Sequence, residues 1–150
     1  MERWLPGAVA NGRTITVRML LNHTSGLPDY ISDLEAGRSD PDVLDAVTGK
    51  VQRDWTSRQL LAVAARYPVL FASGTRHSYS NTNYIALGLI LERVTGDSVT
   101  HLLQSRILRP LGLRDVYLAR DGRSRDGDRL AHGYEPDAAP AGAGRRARRH

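Results

Sequence analysis

Apolar residues recur at helical spacing in five stretches of the chain, and each stretch predicts a short helix. In the first, Thr16 is placed to cap a helix over residues 17–21, and Gly26 follows as its terminator. In the second, Pro41 stands in the first turn of a helix that closes at Gly49. The loop between these two helices is rich in turn-forming and acidic residues.

Capping signals and apolar periodicity define the third and fourth helices. Thr56 and Gln59 form a capping box, and the helix behind them continues at helical spacing until Pro68 stops it. Residues 83–94 are apolar on nearly every face, which is the pattern of a buried helix, and Gly96 is its C-terminal stop. Such a helix needs apolar partners on several sides.

The fifth helix is predicted to open at Asp97 or Ser98 and to run through Ile107, because Pro110 stops it. Residues 116–118 are the only ones with the pattern of a strand. Four short amphipathic helices cover the apolar fourth helix only partly. The pattern therefore predicts a helical region whose sheet is missing.

Length and composition limit the chain to one domain or part of one. It has 150 residues, of which 41% are hydrophobic, and no cysteine, which excludes disulfides, thiolate metal sites and a cysteine nucleophile. The longest apolar run is the eight residues 84–91, and a bilayer span needs roughly 18. The first residues lack the apolar stretch of a signal peptide, so we expect no export signal in the chain as written.

Basic charge is concentrated at the C-terminus. The formal net charge is +5, and four arginines in residues 145–149 supply most of it. We expect residues 1–134 to form a partial domain, and residues 135–150, rich in Ala, Pro, Gly and Arg, to form a disordered tail. The tail is predicted to bind polyanions weakly, whereas the nearly neutral body argues against a general nucleic-acid surface.

Several widespread catalytic motifs are absent from the sequence. It contains no Gly-x-Ser-x-Gly elbow, no His-Glu-x-x-His pair, no P-loop and no Gly-x-Gly-x-x-Gly loop. The five histidines are scattered along the chain. We therefore expect neither a metal ion nor a cofactor.

Two polar stretches border apolar helices. Residues 15–30 run from a capped helix into a His-Thr-Ser-Gly-Leu turn that begins at His23. Residues 71–96 lead through Tyr79-Ser80-Asn81 into the apolar helix. A loop of this kind can aim a phenol and an amide into a cleft, because the helix behind it holds the backbone still.

These two stretches, their spacing and the Ile-Leu-Arg-Pro-Leu-Gly-Leu run at 107–113 resemble the serine β-lactamase and D-alanyl-D-alanine carboxypeptidase-like family, of the class C type, over residues 5–118. The resemblance implies an α+β, β-lactamase/transpeptidase-like fold, of which the chain holds mainly the helical region. It also implies a penicillin-binding serine hydrolase that forms an acyl-enzyme with a peptide, β-lactam or ester. Members of the family usually work outside the cytoplasm.

Tyr79-Ser80-Asn81 matches the family's second motif, Tyr-x-Asn, residue for residue. The resemblance implies that Tyr79 is the acid/base that passes the serine proton to the leaving group, and that Asn81 donates to the substrate's amide carbonyl. A phenol has a pKa of about 10, so Tyr79 needs a nearby cation, which a first-motif lysine would supply. We interpret Ser80 as a spacer and His23 as a buried hydrogen-bonding residue that fixes its turn.

The other two motifs of the family are absent. The first, Ser-x-x-Lys, requires a lysine, and the residue three positions before the only lysine, Lys50, is Val47. We expect the nucleophile upstream of Met1, and the third triplet, which contains Lys or His and ends in Gly, downstream. The isolated chain is therefore predicted to be an inactive fragment of a serine hydrolase. Two alternatives stay open, a non-catalytic module that binds peptidoglycan or a peptide, and a truncated remnant without function.

Overall fold

Four helices and one π-helical segment account for the regular structure of the computed structural model, which describes residues 1–31 and 55–118. They are α1 Val17–Leu21, α2 Ser57–Ala64, α3 Asn81–Thr95, α4 Val99–Leu103 and the π-helical segment Gln104–Leu108. Helices α1 and α2 both pack against α3, and α4 contacts α3 before it continues into the π-helical segment.

Local side-chain caps begin three of the helices, as the sequence predicts. The Thr16 and Ser98 hydroxyls each accept a hydrogen bond of 3.2 Å from the third backbone N–H of the helix that follows. Thr56 and Gln59 form the predicted capping box, in which each side chain accepts from the other residue's backbone N–H. These caps satisfy N–H groups that a helix start leaves unpaired.

Other predicted elements need correction. Helix α2 ends at Ala64 rather than at Pro68, because residues 65–67 form tighter turns ahead of the proline. Residues 116–118 form no strand, since a strand requires a paired neighbour and no strand occurs among residues 1–31 and 55–118. The predicted helix over residues 41–49 and the tail over 135–150 lie outside the described residues.

Helix α3 begins at Asn81, two residues before the predicted start, and ends as predicted at Gly96, whose φ is +76°. It is not buried on every face. Tyr84, Leu91 and Val94 are about half exposed, at 55%, 48% and 53%. Within the described part of the chain, the partners of α3 cover one side of the helix and leave these side chains in solvent.

The hydrophobic core lies between α3, the N-terminal turns and helices α1 and α2. Its buried members come from the segment before α1, from α1 and the loop behind it, from α2 and from one face of α3. They are Leu5, Val9, Ile15, Leu20, Leu27, Leu61, Ala86, Leu87, Leu89 and Ile90. This packing fixes the N-terminal end of α3 against the loop that follows α1.

Candidate active site

The Tyr-x-Asn triplet lies at the start of α3. Tyr79 is 63% exposed and precedes the helix, whereas Asn81 is its first residue. The Tyr79 hydroxyl donates a hydrogen bond of 2.9 Å to Oδ1 of Asn81. The structure thus brings together the two residues that the sequence singles out, with the phenol facing solvent.

A carboxylate from a distant loop holds Asn81. Oδ2 of Asp29 accepts the Asn81 backbone N–H at 2.7 Å and the side-chain Nδ2 at 2.9 Å. Ser80, the residue before the helix, makes no side-chain cap of its own, so Asp29 supplies the cap from 52 residues away. Its other oxygen accepts the Ile31 N–H at 2.8 Å.

His23 lies behind the triplet. Its Nδ1 is 3.3 Å from the Ser80 backbone nitrogen and 3.0 Å from Nδ2 of Asn83. Because a backbone N–H can only donate, Nδ1 is an acceptor and the ring carries its proton on Nε2. The ring centroid is 4.6 Å from that of Tyr79 and 5.4 Å from that of Tyr84. The predicted hydrogen bonding of His23 is observed, but its side chain bonds to the segment at the start of α3 rather than within its own turn. The side chain is half-buried rather than buried as predicted.

Buried hydroxyl groups fasten α3 to the loop after α1. Ser80 and Thr82 each donate to the carbonyl oxygen of Pro28, at 3.1 and 2.7 Å. Ser25 donates to Oδ1 of Asn83 at 2.5 Å. All four of these polar side chains, Ser25, Ser80, Thr82 and Asn83, are at most 1% exposed. Ser80 is therefore a packing residue as well as a spacer, and Ser25 is part of the scaffold.

The backbone of the two loops is also joined directly. The Gly74 N–H donates to the Thr24 carbonyl at 2.7 Å, and the Ser78 N–H donates to the His23 carbonyl at 3.0 Å. His23 has a left-handed φ of +58°, a conformation that few non-glycine residues adopt. The loop after α1 therefore packs against the Tyr79 loop and supports it through backbone hydrogen bonds.

Tyr30 adds a second phenol near the site. Its backbone N–H donates to the Thr82 hydroxyl at 3.1 Å. Burial, reinforced by the neighbouring Asp29 carboxylate and by Tyr79, raises the pKa of the Tyr30 phenol above its ordinary value. The Tyr30 hydroxyl therefore keeps its proton to higher pH than a free tyrosine.

Sequence reasoning missed the partners of the triplet. Asp29, Asn83 and Ser25 belong to none of the family's three catalytic motifs, and the hydrogen bonds by which they join the two loops span 52 to 60 residues. The only usable signal was the crowding of small polar residues in both stretches. His77 is exposed and lies edge-on to His23, with ring centroids 6.1 Å apart.

The described residues contain neither a cluster of metal ligands nor a membrane-spanning helix. Within residues 1–31 and 55–118, no three His, Asp or Glu side chains are grouped so that they could hold a metal ion. No helix in the same ranges has both the length and the apolar character that crossing a bilayer requires.

Comparison with known proteins places these features in a family. Residues 1–149 match the family model described as Beta-lactamase. The chain is 34% identical over 139 residues to penicillin-binding protein 4* of Bacillus subtilis (strain 168), which covers 91% of this chain and 28% of that protein. It is 35% identical over 120 residues to esterase EstB of Burkholderia gladioli, covering 77% and 30%.

A solved structure resembles the fold. The D-stereospecific amidohydrolase from a Streptomyces species superposes with a TM-score of 0.67 at 39% sequence identity, over 75% of this chain and 34% of that one. The chain therefore spans about a third or less of the length of the relatives it matches.

Proposed function

The chain belongs to the beta-lactamase family, and we propose that it is a fragment of a serine hydrolase of the β-lactamase and D-alanyl-D-alanine carboxypeptidase type, inactive by itself. The fold of the family is the β-lactamase/transpeptidase-like one. We propose that residues 1–134 form part of an α+β domain whose sheet comes from segments outside the chain, and that 135–150 are a tail. The substrate class is a peptide, a β-lactam or an ester.

One observation carries this proposal. The Tyr79 hydroxyl and the Asn81 amide are hydrogen-bonded to each other at the start of α3, and Tyr79 faces solvent. Around them, buried hydrogen bonds hold the backbone from Ser80 to Asn83. A reacting group can approach the phenol from outside, while the scaffold behind it stays fixed.

Tyr79 serves as the proton relay of the acylation step. A serine Oγ bonds to the substrate's carbonyl carbon, and its proton passes to the Tyr79 oxygen. As the bond to the leaving nitrogen or oxygen breaks, that proton passes on to the leaving group. The relay needs Tyr79 as a phenolate, so the phenol first gives its own proton to solvent. The lysine of the missing first motif supplies the positive charge that stabilises this phenolate.

Asn81 orients the substrate. An amide nitrogen carries two hydrogens, and the Asp29 carboxylate accepts from one of these. The second can donate to the carbonyl of a substrate's amide. Before Tyr79 gives up its proton, Oδ1 of Asn81 accepts the Tyr79 hydroxyl, so one side chain connects the relay to the substrate.

The nucleophile comes from outside the chain. A Ser-x-x-Lys pair is absent from the sequence, and Ser25, the serine of the turn after α1, is buried and donates to Asn83. The complete protein, meaning this chain with upstream and downstream segments that carry the other two motifs, is therefore the proposed catalyst.

Replacing Tyr79 in the complete protein tests the relay. Tyr79→Phe keeps the ring but removes the hydroxyl, so the acylation rate with a labelled penicillin should fall by roughly 10² to 10⁴. Tyr84→Phe is the matched control, because Tyr84 is a similarly exposed tyrosine in the first turn of α3, and its hydroxyl contacts the Leu21 carbonyl at 3.4 Å. If Tyr79→Phe acylates at the parent rate, the relay assignment is wrong.

Replacing Asn81 tests the substrate contact. Asn81→Ala removes one donor, and we expect a smaller loss of acylation rate than Tyr79→Phe causes. The loss should be larger for amide substrates that carry the recognised carbonyl than for simple esters, which do not use the donor. Equal losses for both substrate types would contradict the role assigned to Asn81.

A further inference from the structure

We propose that Asp29 is a positioning residue for Asn81, and that it sets which end of the Asn81 amide faces the substrate; this rests on the proposed function. Asp29 belongs to the loop after α1 and carries no family motif. Its Oδ2 nevertheless accepts two hydrogen bonds from Asn81, one from the backbone N–H at 2.7 Å and one from Nδ2 at 2.9 Å.

The carboxylate decides the orientation of the Asn81 amide. An ionised carboxylate only accepts hydrogen bonds, so it fits the NH₂ end of an amide and repels the carbonyl end. Oδ1 of Asn81 must then point away from Asp29, and it accepts the Tyr79 hydroxyl at 2.9 Å. A neutral neighbour would satisfy either orientation of the amide. With Asp29 charged, one orientation dominates.

Asp29 itself is held in place. Its Oδ1 accepts the Ile31 N–H at 2.8 Å, so the carboxylate is tied to its own loop. The preceding residue, Pro28, accepts hydrogen bonds from two buried hydroxyl groups of the Ser80–Thr82 segment. The carboxylate therefore meets Asn81 from a fixed position, which a group that aligns another side chain requires.

This arrangement has a consequence for substrate binding. With its first Nδ2 hydrogen on Asp29 and its Oδ1 on Tyr79, Asn81 can offer only its second Nδ2 hydrogen to a substrate. A reversed amide would present an oxygen to the substrate's carbonyl oxygen and would remove the acceptor for the Tyr79 hydroxyl. Loss of the Asp29 charge should therefore weaken both functions of Asn81 together.

A double-mutant cycle in the complete protein tests the proposal. Asp29→Asn keeps the shape of the side chain but removes its charge, so acylation of an amide substrate should slow by up to about 100-fold, the scale of a misplaced group. The loss should not exceed that of Asn81→Ala. In the Asn81→Ala background, Asp29→Asn should have no further effect, because Asp29 acts through Asn81. Asp97→Asn, at an exposed carboxylate beyond α3, is the control and should acylate at the parent rate.

The outcomes separate the two proposals. If Asn81→Ala leaves acylation unchanged, the proposed function has lost its Asn81 step. If Asn81→Ala slows acylation but Asp29→Asn slows it by the same factor in both backgrounds, the positioning role is wrong and Asp29 acts independently of Asn81. Thermal unfolding of each variant shows whether a slow variant is folded.

A second measurement needs no catalysis. In the 150-residue chain labelled with ¹⁵N at the asparagine side chains, the Asn81 NH₂ signals are assigned by their loss in Asn81→Ala. We expect the Nδ2 proton of Asn81 that is hydrogen-bonded to Asp29 to be shifted downfield. Asp29→Asn should remove this shift, and Asp97→Asn should preserve it. Asn81 NH₂ signals that are identical in the parent chain and Asp29→Asn would overturn the proposal.

Discussion

The polar side chains at the start of α3 are satisfied by residues of a single loop. Asp29 accepts from Asn81, the Pro28 carbonyl accepts from Thr82, and the Thr82 hydroxyl accepts from the Tyr30 backbone. Each bond is modest in net free energy, but an unpaired buried group costs more than a bond contributes. The loop and the helix start therefore depend on each other, because replacing one residue leaves its hydrogen-bond partner unpaired.

Tyr30 makes this dependence measurable as a pH effect. Because burial, Asp29 and Tyr79 raise the pKa of its phenol in the folded state, folding holds the proton more tightly than the unfolded chain does. The stability that this provides is fully present below the unfolded pKa of about 10 and is lost as the pH rises through the higher folded value.

Tyr30→Phe should therefore remove part of the alkaline destabilisation. Urea unfolding of the parent chain and of Tyr30→Phe is compared at about pH 7 and about pH 10.5. The parent should lose more stability between the two pH values than the variant does. A difference between the two proteins that is the same at both pH values would contradict the raised pKa.

Among single residues, the sequence identified those whose partner is close in the chain. Tyr79 and Asn81 stand two positions apart in a recognisable triplet, and the structure joins them by a hydrogen bond. Asp29 could not be predicted, because its pairing with Asn81 depends on how two loops meet in the folded chain. Their separation of 52 residues leaves no pattern in the sequence.

At the scale of elements, the start of a helix could be predicted when its capping residue is next to it in the sequence. Helices α1, α2 and α4 begin directly after Thr16, Thr56 and Ser98, whose own side chains cap them. The sequence predicted the first two caps and named Ser98 as one of two candidates for the third. Helix α3 is capped by Asp29 from another loop, and its start was placed two residues late. Local caps can be read from sequence, whereas a cap made by tertiary contact cannot.

The strand prediction fails for a related reason. Residues 116–118 have a suitable composition, but side-chain type alone does not form a strand without a neighbour to pair with. The apolar run in α3 was likewise interpreted as burial on all sides, yet Leu91 and Val94 are exposed. In both cases the pattern indicates that the residues need a partner, either a second strand or an apolar surface. The described residues do not supply that partner.

The junction of the two loops depends on Gly26. Its φ is +79°, and a Cβ there would meet the Phe71 carbonyl oxygen well inside van der Waals distance. Gly26→Ala should therefore add a steric clash to the cost of a left-handed alanine, which is roughly 1–2 kcal/mol.

Gly96→Ala is the matched control for Gly26→Ala. Gly96 has a similar φ of +76°, but nothing lies within 4 Å of the position its Cβ would take. Urea unfolding at neutral pH should show a clearly larger loss for Gly26→Ala than for Gly96→Ala. Equal losses of unfolding free energy in the two variants would contradict this prediction, because the contact with the Phe71 carbonyl would then add no cost at Gly26.

At the scale of the whole molecule, the exposed apolar side chains and the family matches agree. Besides Leu91 and Val94, the large apolar side chains of Ile107 and Leu111 are exposed in the described chain. Apolar surface left in water forgoes roughly 25 cal/mol per Å² of stabilisation. The chain also spans about a third or less of its relatives. Both observations support the proposal that the domain is completed by segments outside the chain.

At this scale the sequence supports two statements. The apolar fourth helix with too few partners predicts a missing sheet, which stays a prediction, and the single lysine, Lys50, excludes a Ser-x-x-Lys motif in this chain. Neither observation identifies the substrate, because the proposed function places the nucleophile and the third motif outside this chain. Substrate choice among peptide, β-lactam and ester therefore needs the complete protein.

The most direct test of the central claim, that the chain holds the proton relay but not the nucleophile, is mass spectrometry after incubation with a penicillin. The isolated 150-residue chain should gain no adduct, because without the attacking serine an acyl-enzyme does not form. The complete protein should gain one penicilloyl group, on a serine outside residues 1–150. A stoichiometric adduct on a serine within the chain would contradict the account, and saturable peptide binding without any adduct in the complete protein would favour a non-catalytic module.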